Sequence, residues 1–434
     1  MSGSSPPGSA TADRPVRTPD DAPPRRNERL LILFTGTTNT ADAVARVSLP
    51  LLAVQLTRSP ALIAGVAIMM TLPWLLIALH VGVLVDRMNR RSLMLGAELA
   101  RLVSVGALLV AVAADMTSLV LLYAVALALG VAEVVAQIAA ASIIPAAVPK
   151  SRWQKVTARM TATEYVSFSF IGAPIGGFLV AAGFTIALGA TGLVYIAGAV
   201  LLALLVGNFS VRSGAERRPA HVEIGEGLRF LWTNQLLRAM ALLITIMAGC
   251  WAAWYAILPG YAVGGPLGLV SRQYGFLLTS LGAGGVIGTV LVGPVNRLLG
   301  RRWSMFIDII GTVLLVGLPA ALPSAPTSAW AIGAAAFFAG AGGTMWTVNS
   351  RVIIQSLVPN ELLGRFSAAS RLIAWGMTPV AAAIAGVLAQ LFSYRLAFGV
   401  FAVICALLVY PFLRVITVEA LAPVDRPEPA EVTA

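Results

Sequence analysis

Charge is what this chain has least of. Asp, Glu, Lys and Arg make up only 11% of its 434 residues, against 58% apolar residues and a mean hydropathy of +0.86. A soluble globule hides its apolar residues behind a charged surface, and this composition cannot supply one, so lipid must be the solvent. Cysteine is nearly absent: Cys250 and Cys405 both sit inside apolar runs, which excludes a disulfide scaffold and reads as two small buried hydrophobes. The two histidines, His80 and His221, are too few and too far apart for a metal site. Lysine occurs twice, as Lys150 after Pro149 and Lys155 after Gln154. Neither makes the Gly-Lys-Ser/Thr loop that cradles a nucleotide phosphate, which argues against an ATP-driven pump. With no Gly-x-Ser-x-Gly elbow and no His/Glu cluster, no enzyme and no cofactor is expected.

What is present is a series of long apolar runs. A window of about 20 residues, the length needed to cross a bilayer core, finds twelve candidate spans near 30–54, 60–84, 93–113, 117–146, 160–182, 184–207, 236–262, 271–295, 303–323, 327–357, 368–391 and 395–416. The net charge of +11 would suggest nucleic acid in a soluble protein, but here the arginines are sorted by loop. One side carries Arg87, Arg90, Arg91, Lys150, Arg152, Lys155, Arg159, Arg212, Arg217, Arg218, Arg229, Arg297, Arg301, Arg302, Arg351, Arg365 and Arg371; the other shows little beyond Arg58, Arg272 and Arg395. The positive-inside rule makes the first side cytoplasmic and places both termini there, in a cell (inner or plasma) membrane. Residues 1–29, rich in Ser, Pro, Gly, Ala and Arg, read as a disordered cytoplasmic tail; 30–207 as a first six-helix bundle; 208–235 as a cytoplasmic linker; 236–416 as a second six-helix bundle; and 417–434 as a cytoplasmic tail.

The halves repeat one another. Gly82-Val83-Leu84-Val85-Asp86-Arg87-Met88-Asn89-Arg90-Arg91, a charged joint between two apolar stretches, returns in degraded form as Gly293-Pro294-Val295-Asn296-Arg297-Leu298-Leu299-Gly300-Arg301-Arg302. Ile143-Ile144-Pro145-Ala146-Ala147-Val148-Pro149 likewise recurs 210 residues on as Ile353-Ile354-Gln355-Ser356-Leu357-Val358-Pro359. An internally duplicated membrane protein with a charged joint in each half points to a carrier in which one half moves against the other.

Thr57-Arg58-Ser59-Pro60, Leu72-Pro73-Trp74-Leu75-Leu76, the Gly82–Arg91 joint and Val148-Pro149 resemble the major facilitator superfamily, and within it the drug and siderophore exporter branch. The resemblance covers residues 30–416 and implies an all-α fold of twelve transmembrane helices in two pseudo-symmetric six-helix bundles. It assigns the conformational gate to Gly82, where helices approach closely, to Asp86, which caps a helix of the other half, and to Arg87, Arg90 and Arg91, which tie the bundles together in one state. Asn89 stands where the family usually has Gly; Asn tolerates a left-handed backbone, so the turn should survive. Asn296 replaces the Asp in the second copy, which suggests a weaker second gate. Gly172-Ala173-Pro174-Ile175-Gly176-Gly177 resembles the Gly-Pro-rich signature of antiporters, or is ordinary small-residue packing.

Ionisable residues inside spans are costly and usually functional. Asp42 lies in span one with Asn39 and Arg46 on the same helical face, and Glu133 lies in span four with Gln137 four residues on. Asp42 and Glu133 are candidate proton or cationic-substrate groups with Arg46 tuning Asp42, the alternative being a static Asp42–Arg46 ion pair. Glu98, Arg101, Asp308 and Glu164 lie nearer the cytoplasmic ends and are expected to brace the gate, with Asn349 and Arg351 in the same network; Glu98 and Asp308 are 210 residues apart. Trp251, Trp254, Tyr255, Trp346 and Trp375 could line a cavity for bulky amphipathic molecules, or form an interfacial belt.

These features lead to a monomeric secondary transporter exporting small drug-like molecules by proton antiport with alternating access. Its partners would be substrate, protons and the bilayer, without nucleic acid. Export of a siderophore or another endogenous metabolite, and a non-transporting sensor of the same fold, remain open.

Overall fold

The computed structural model describes residues 24–207, 209, 220–359 and 362–425, and among them the chain is helical throughout. In the first half run α1 (Pro24–Leu56), α2 (Pro60–Leu76), α3 (Ala78–Arg87), α4 (Arg90–Ala113), α5 (Leu119–Ala147) and α6 (Trp153–Tyr165). A π-helical stretch, Val166–Gly172, then leads into α7 (Ala173–Ala182) and α8 (Phe184–Ala203). The amphipathic α9 (Ala220–Thr233) joins this half to α10 (Gln235–Ala262), α11 (Ser271–Ala321), α12 (Ser328–Leu357), α13 (Leu363–Leu391), α14 (Tyr394–Leu407), α15 (Val409–Val415) and a final α16 (Val418–Asp425).

Nine helical stretches among the described residues are long and apolar enough to cross a bilayer. Twelve crossings result because the 51-residue α11 turns at Gly300 into two spans, its φ of 82° and ψ of 160° lying outside the helical region. A further span is α2 plus α3, interrupted at Ile77, and another is α1, whose polar run Thr35–Thr40 lowers its hydropathy. Small polar caps start several spans: Ser59, Ser118, Asn234 and Ser393 accept from the backbone N–H three residues on, satisfying donors that the first turn leaves unpaired. Side chains such as Val103, Val110, Leu193 and Val290 are more than half exposed, as lipid-facing positions should be.

Two corrections concern the expected boundaries. Residues 24–29 are the first turns of α1 and not tail: Asn27 is buried and exchanges hydrogen bonds with the Val206 backbone, while buried Glu28 pairs with Arg152 at 2.9 Å and Arg159 at 2.8 Å. Asn89 is not left-handed, having φ −64° and ψ 118°; it is the N-cap of α4, its Oδ1 accepting from the N–H groups of Arg91 and Ser92. The left-handed turn occurs only in the second copy, at Gly300.

In the first bundle α1 packs on α7 and α8, α4 on α5 and α8, and α2 on α5; in the second α11 packs on α12 and α14, and α10 on α13. The halves meet where α2 lies along α13 and where α7 lies along α11. This seam is backbone-close because it is built of glycine. A Cβ on Gly177 would stand 2.7 Å from the Cα of Gly275, one on Gly275 2.9 Å from the Cα of Gly177, and one on Gly386 2.7 Å from the Cβ of Ala64. Ser59 Oγ donates to Gln390 Oε1 at 2.6 Å across the same seam. All of these contacts lie toward the end opposite the arginine-rich loops. The last ring contact from that end is Trp74 stacked on Trp375, centroids 5.8 Å apart. Beyond it α3 packs chiefly on α5 of its own half.

Candidate functional site

The site grows from α1, whose apolar residues leave one polar face turned toward α4, α5 and α8. Asp42 and Arg46 share that face as expected, but they do not pair with each other. Asp42 Oδ2 accepts from Arg101 of α4 at 3.0 Å and its Oδ1 accepts from the Tyr195 hydroxyl of α8 at 2.8 Å. Arg46 instead reaches α5, its Nη2 donating to both oxygens of Glu133 at 2.9 and 2.8 Å. Gln137 donates to Glu133 Oε1 at 3.3 Å, as its four-residue spacing implied. Asn39 stays outside the cluster, its Nδ2 bonded to the Thr35 carbonyl of its own helix.

Glu98 and Arg101, expected to brace the gate, join this interior cluster. They are 0% and 1% exposed, and Arg101 Nη1 donates to Glu98 Oε1 at 2.5 Å while its Nη2 holds Asp42. Arg101 also lies over the Tyr195 ring, 5.7 Å from its centroid. Thr38 of α1 adds a hydrogen bond to Glu98 Oε1 at 3.3 Å. Burial of this kind is tolerated because each charge has a partner; removing one partner exposes the cost of the other. The Arg46 side chain is 32% exposed, and the residues around it, Gln137, Tyr255 and Phe168, are open or half open, with Phe168 beneath the guanidinium at 5.4 Å. The π-helical stretch supplies Phe168, since its wider turn re-aims side chains where a regular helix would continue.

In the second half, Asp308 lies about two turns past the Gly300 kink; it is 2% exposed and accepts a long hydrogen bond from Thr312 at 3.4 Å, with no ion pair among the described residues. Thr312 in turn accepts from Trp251 Nε1 at 3.0 Å. Asn349 is fully buried in an amide pair with Asn296, 2.8 and 3.2 Å, and reaches Ser304, while Arg351 points outward. Glu164 is half-buried on α6. Of the aromatic wall, Trp254 and Trp346 are core residues, 0% and 2% exposed, Trp346 against Phe412; Trp251 is half-buried and Tyr255 is 38% exposed.

Among the described residues, the hydrogen bonds of Arg90, Arg91 and Arg302 each stay within one half. A Cβ on Gly82 would meet no described atom within 4 Å, so the close approach expected there is absent from this conformation. Arg87 is exposed, and the Asp86 side chain lies outside the described residues. The Arg90 backbone N–H reaches Phe209 O, and Arg91 donates to the Ala203 carbonyl at the end of α8, both within its own bundle. Arg302 does the same to Leu413 at 3.0 Å, and Ala203 and Leu413 are themselves 210 residues apart. Gly172, Pro174, Gly176 and Gly177 form the contact face of span five: Gly172 against Ala43 and the Thr40 carbonyl, Gly176 against Val47, Gly177 against Gly275, with Pro174 opening α7 after the π-helical stretch. Sequence reasoning missed Tyr195, Thr38 and Phe168; a lone tyrosine in the middle of span six was the available signal.

Two glycine-seamed helical bundles around buried ion pairs define a polytopic membrane carrier fold. The profile of the Major Facilitator Superfamily matches residues 31–377 and, in a second match, 263–433, and the chain belongs to that superfamily. Relatives include the multidrug efflux pump Tap of Mycolicibacterium fortuitum, 24% identical over 84% of this chain and 90% of that protein. Tap of Mycobacterium tuberculosis H37Rv is 26% identical over 93% of this chain and 98% of that protein. Among solved structures, the nucleoside transporter NupG superposes with a TM-score of 0.70 at 11% identity, covering 90% of this chain and 99% of that one. A bacterial homologue of the iron transporter ferroportin, in an inward-facing state, gives 0.66 at 15% identity over 93% and 99%. At such identities these structures speak to the fold alone.

Proposed function

We propose that the chain is a secondary transporter that exports small amphipathic, drug-like molecules in exchange for protons, by alternating access across the cell membrane. The observation that carries this is the half-open Arg46–Glu133 pair, joined through α1 to the buried Asp42–Arg101–Glu98 chain. A cation entering from the space between the bundles competes with Arg46 for Glu133, while Tyr255, Phe168 and Trp251 offer ring faces to its apolar body. Freed Arg46 stands one turn from Asp42, so substrate binding at one pair alters the charge balance of the other. The relatives named as efflux pumps support the outward direction. With the arginine-rich loops placed in the cytoplasm by the positive-inside rule, both termini lie there, and the seam is closed outside and open inside.

The test is efflux of ethidium in everted membrane vesicles with an imposed pH gradient. Uptake into the vesicles should follow the gradient and stop when an uncoupler collapses it. Asp42→Asn and Glu133→Gln should each uncouple flux from the gradient. A wild-type protein with no gradient-dependent flux would remove the antiport reading, and one with no flux at all would favour a sensor.

A further inference from the structure

Within the cluster the numbers of acids and bases do not match. Among the described residues, the cations paired with Asp42, Glu98 and Glu133 are Arg46 and Arg101. Five buried or half-buried charges would therefore leave one negative charge uncompensated inside the bilayer, which is expensive enough that a proton is taken up instead. The question is which carboxyl carries it.

Glu133 has both oxygens on Arg46 and a further donor in Gln137. Asp42 has one oxygen on Arg101 and the other on the Tyr195 hydroxyl. Glu98 differs. Its Oε1 takes both of its donors, Arg101 and Thr38, and its Oε2 is buried with no hydrogen-bond partner among the described residues. That oxygen lies against the backbone of α8, where a Cβ on Gly198 would be 3.0 Å from it, so the missing side chain leaves it room and gives it no donor. A carboxylate oxygen in such a place is unsatisfied; a carboxylic acid O–H there needs only an acceptor or a void. The groups facing Glu98 are Thr38 and Asp42 from α1, Arg101 from α4 and Tyr195 from α8, with Arg46 and Glu133 beyond.

We infer that Glu98, and neither Asp42 nor Glu133, holds the cluster's proton in this conformation, on Oε2 beside Gly198. Its release follows from partner exchange, a step that rests on the antiport reading above, whereas the position of the proton does not. When a cationic substrate takes Glu133, Arg46 turns to Asp42; Arg101 is then left to Glu98 alone, and the Glu98 proton departs. Asp42, 16% exposed, lies between Glu98 and the open space and is the way out.

The test uses the full chain in lipid nanodiscs at neutral pH, read by the infrared carbonyl band of un-ionised carboxylic acids. Protein made with glutamate carrying a 13C carboxyl should show a component of that band that moves to lower frequency. In Glu98→Asp the labelled component should vanish, and in Glu133→Asp it should persist. Absence of a labelled component in the wild type, or its persistence in Glu98→Asp, would overturn the assignment. If Glu98→Asp fails to fold, the wild-type and Glu133→Asp spectra still decide, since loss of the component in the latter puts the proton on Glu133. Adding tetraphenylphosphonium should remove the component. If the component is present and assigned but unmoved by that cation, the proton site stands and the exchange step falls.

Discussion

The glycine seam makes a prediction whose size can be worked from distances. Gly177 of α7 and Gly275 of α11 touch backbone to backbone, and a Cβ on either would come within 3 Å of the other's Cα. Main-chain atoms in two helices cannot swing aside as a side chain can. Gly177→Val should therefore cost the present conformation the ~1–3 kcal/mol typical of overpacking. In the alternative state the two helices separate at this end and the cost falls away, so the balance between states should shift by about 5- to 150-fold. Gly82→Val should do the reverse. No described atom lies within 4 Å of its Cβ here, so the substitution is free in this state and crowds the state in which the arginine-rich ends come together. Spin labels at Met88 and Leu298, exposed at 43% and 83% on that end, report the opening by pulsed electron paramagnetic resonance. The buried Cys250 and Cys405 should not compete for label. The population at short label separation should rise in Gly177→Val and fall in Gly82→Val. Identical distributions in Gly177→Val and wild type, or shifts of one sign in both variants, would refute the rocking geometry.

Further predictions concern the ion cluster. Arg101→Met strands the Asp42 charge and removes a donor from Glu98 Oε1, and should cost about 3–5 kcal/mol, read as a fall in thermal unfolding temperature in detergent; the triple variant with Asp42→Asn and Glu98→Gln should recover most of it. Arg46→Glu and Glu133→Arg should each lower stability and transport, while the double reversal restores the pair; a double-mutant cycle with coupling below about 0.5 kcal/mol would show that the 2.8 Å contact is not energetically real. Tyr195→Phe deletes the 2.8 Å hydrogen bond to Asp42 and should cost roughly 1.5–3 kcal/mol, as for other bonds to charged groups, so an unchanged unfolding temperature would contradict it.

Much of the architecture was legible because it follows from one-dimensional quantities. Apolar run length located the spans, and the internal repeat extends to a contact, Arg91 on Ala203 matched by Arg302 on Leu413. The start of α1 was not legible, since Pro24–Arg29 has no apolar periodicity and is ordered by Glu28 gripping two arginines more than a hundred residues away. Helical spacing put Asp42 beside Arg46 on one face, but spacing reports only neighbours on the same helix. The partner chosen by each was set by α4 and α5, and nothing local to α1 encodes that Arg101 would outreach Arg46. Asn89 was misread for a related reason: Asn serves both left-handed turns and N-caps, and only the two free N–H groups of α4 decided between them. The expected aromatic wall divided, with Trp254 and Trp346 in the core, because residues three and four apart share a face, which leaves open whether that face looks into a cavity or a core.

The two halves have spent their common ancestry differently. The position equivalent to Arg101 is Gly311, where a Cβ would lie 2.8 Å from the Cα of Ala339, and the position equivalent to Glu133 is Gly343. A Cβ on the adjacent Gly342 would be 2.5 Å from the Cα of Asp308, so α12 sits directly against the α11 backbone. Charged side chains hold helices apart by their own bulk and must be matched with counter-charges; glycines let helices close and need no matching. On the proposed antiport, the first bundle changes its internal pairing as protons and cations come and go, while the glycine contacts between α11 and α12 leave the second less room to do so. A body that alters its charges set against one that keeps its shape is sufficient for rocking, because only the contacts at the glycine seam need to be exchanged. The chemistry and the movement then reside in different parts of the molecule, joined at α1 and α7, where Gly172 and Gly176 rest on Ala43 and Val47, the residues beside Asp42 and Arg46.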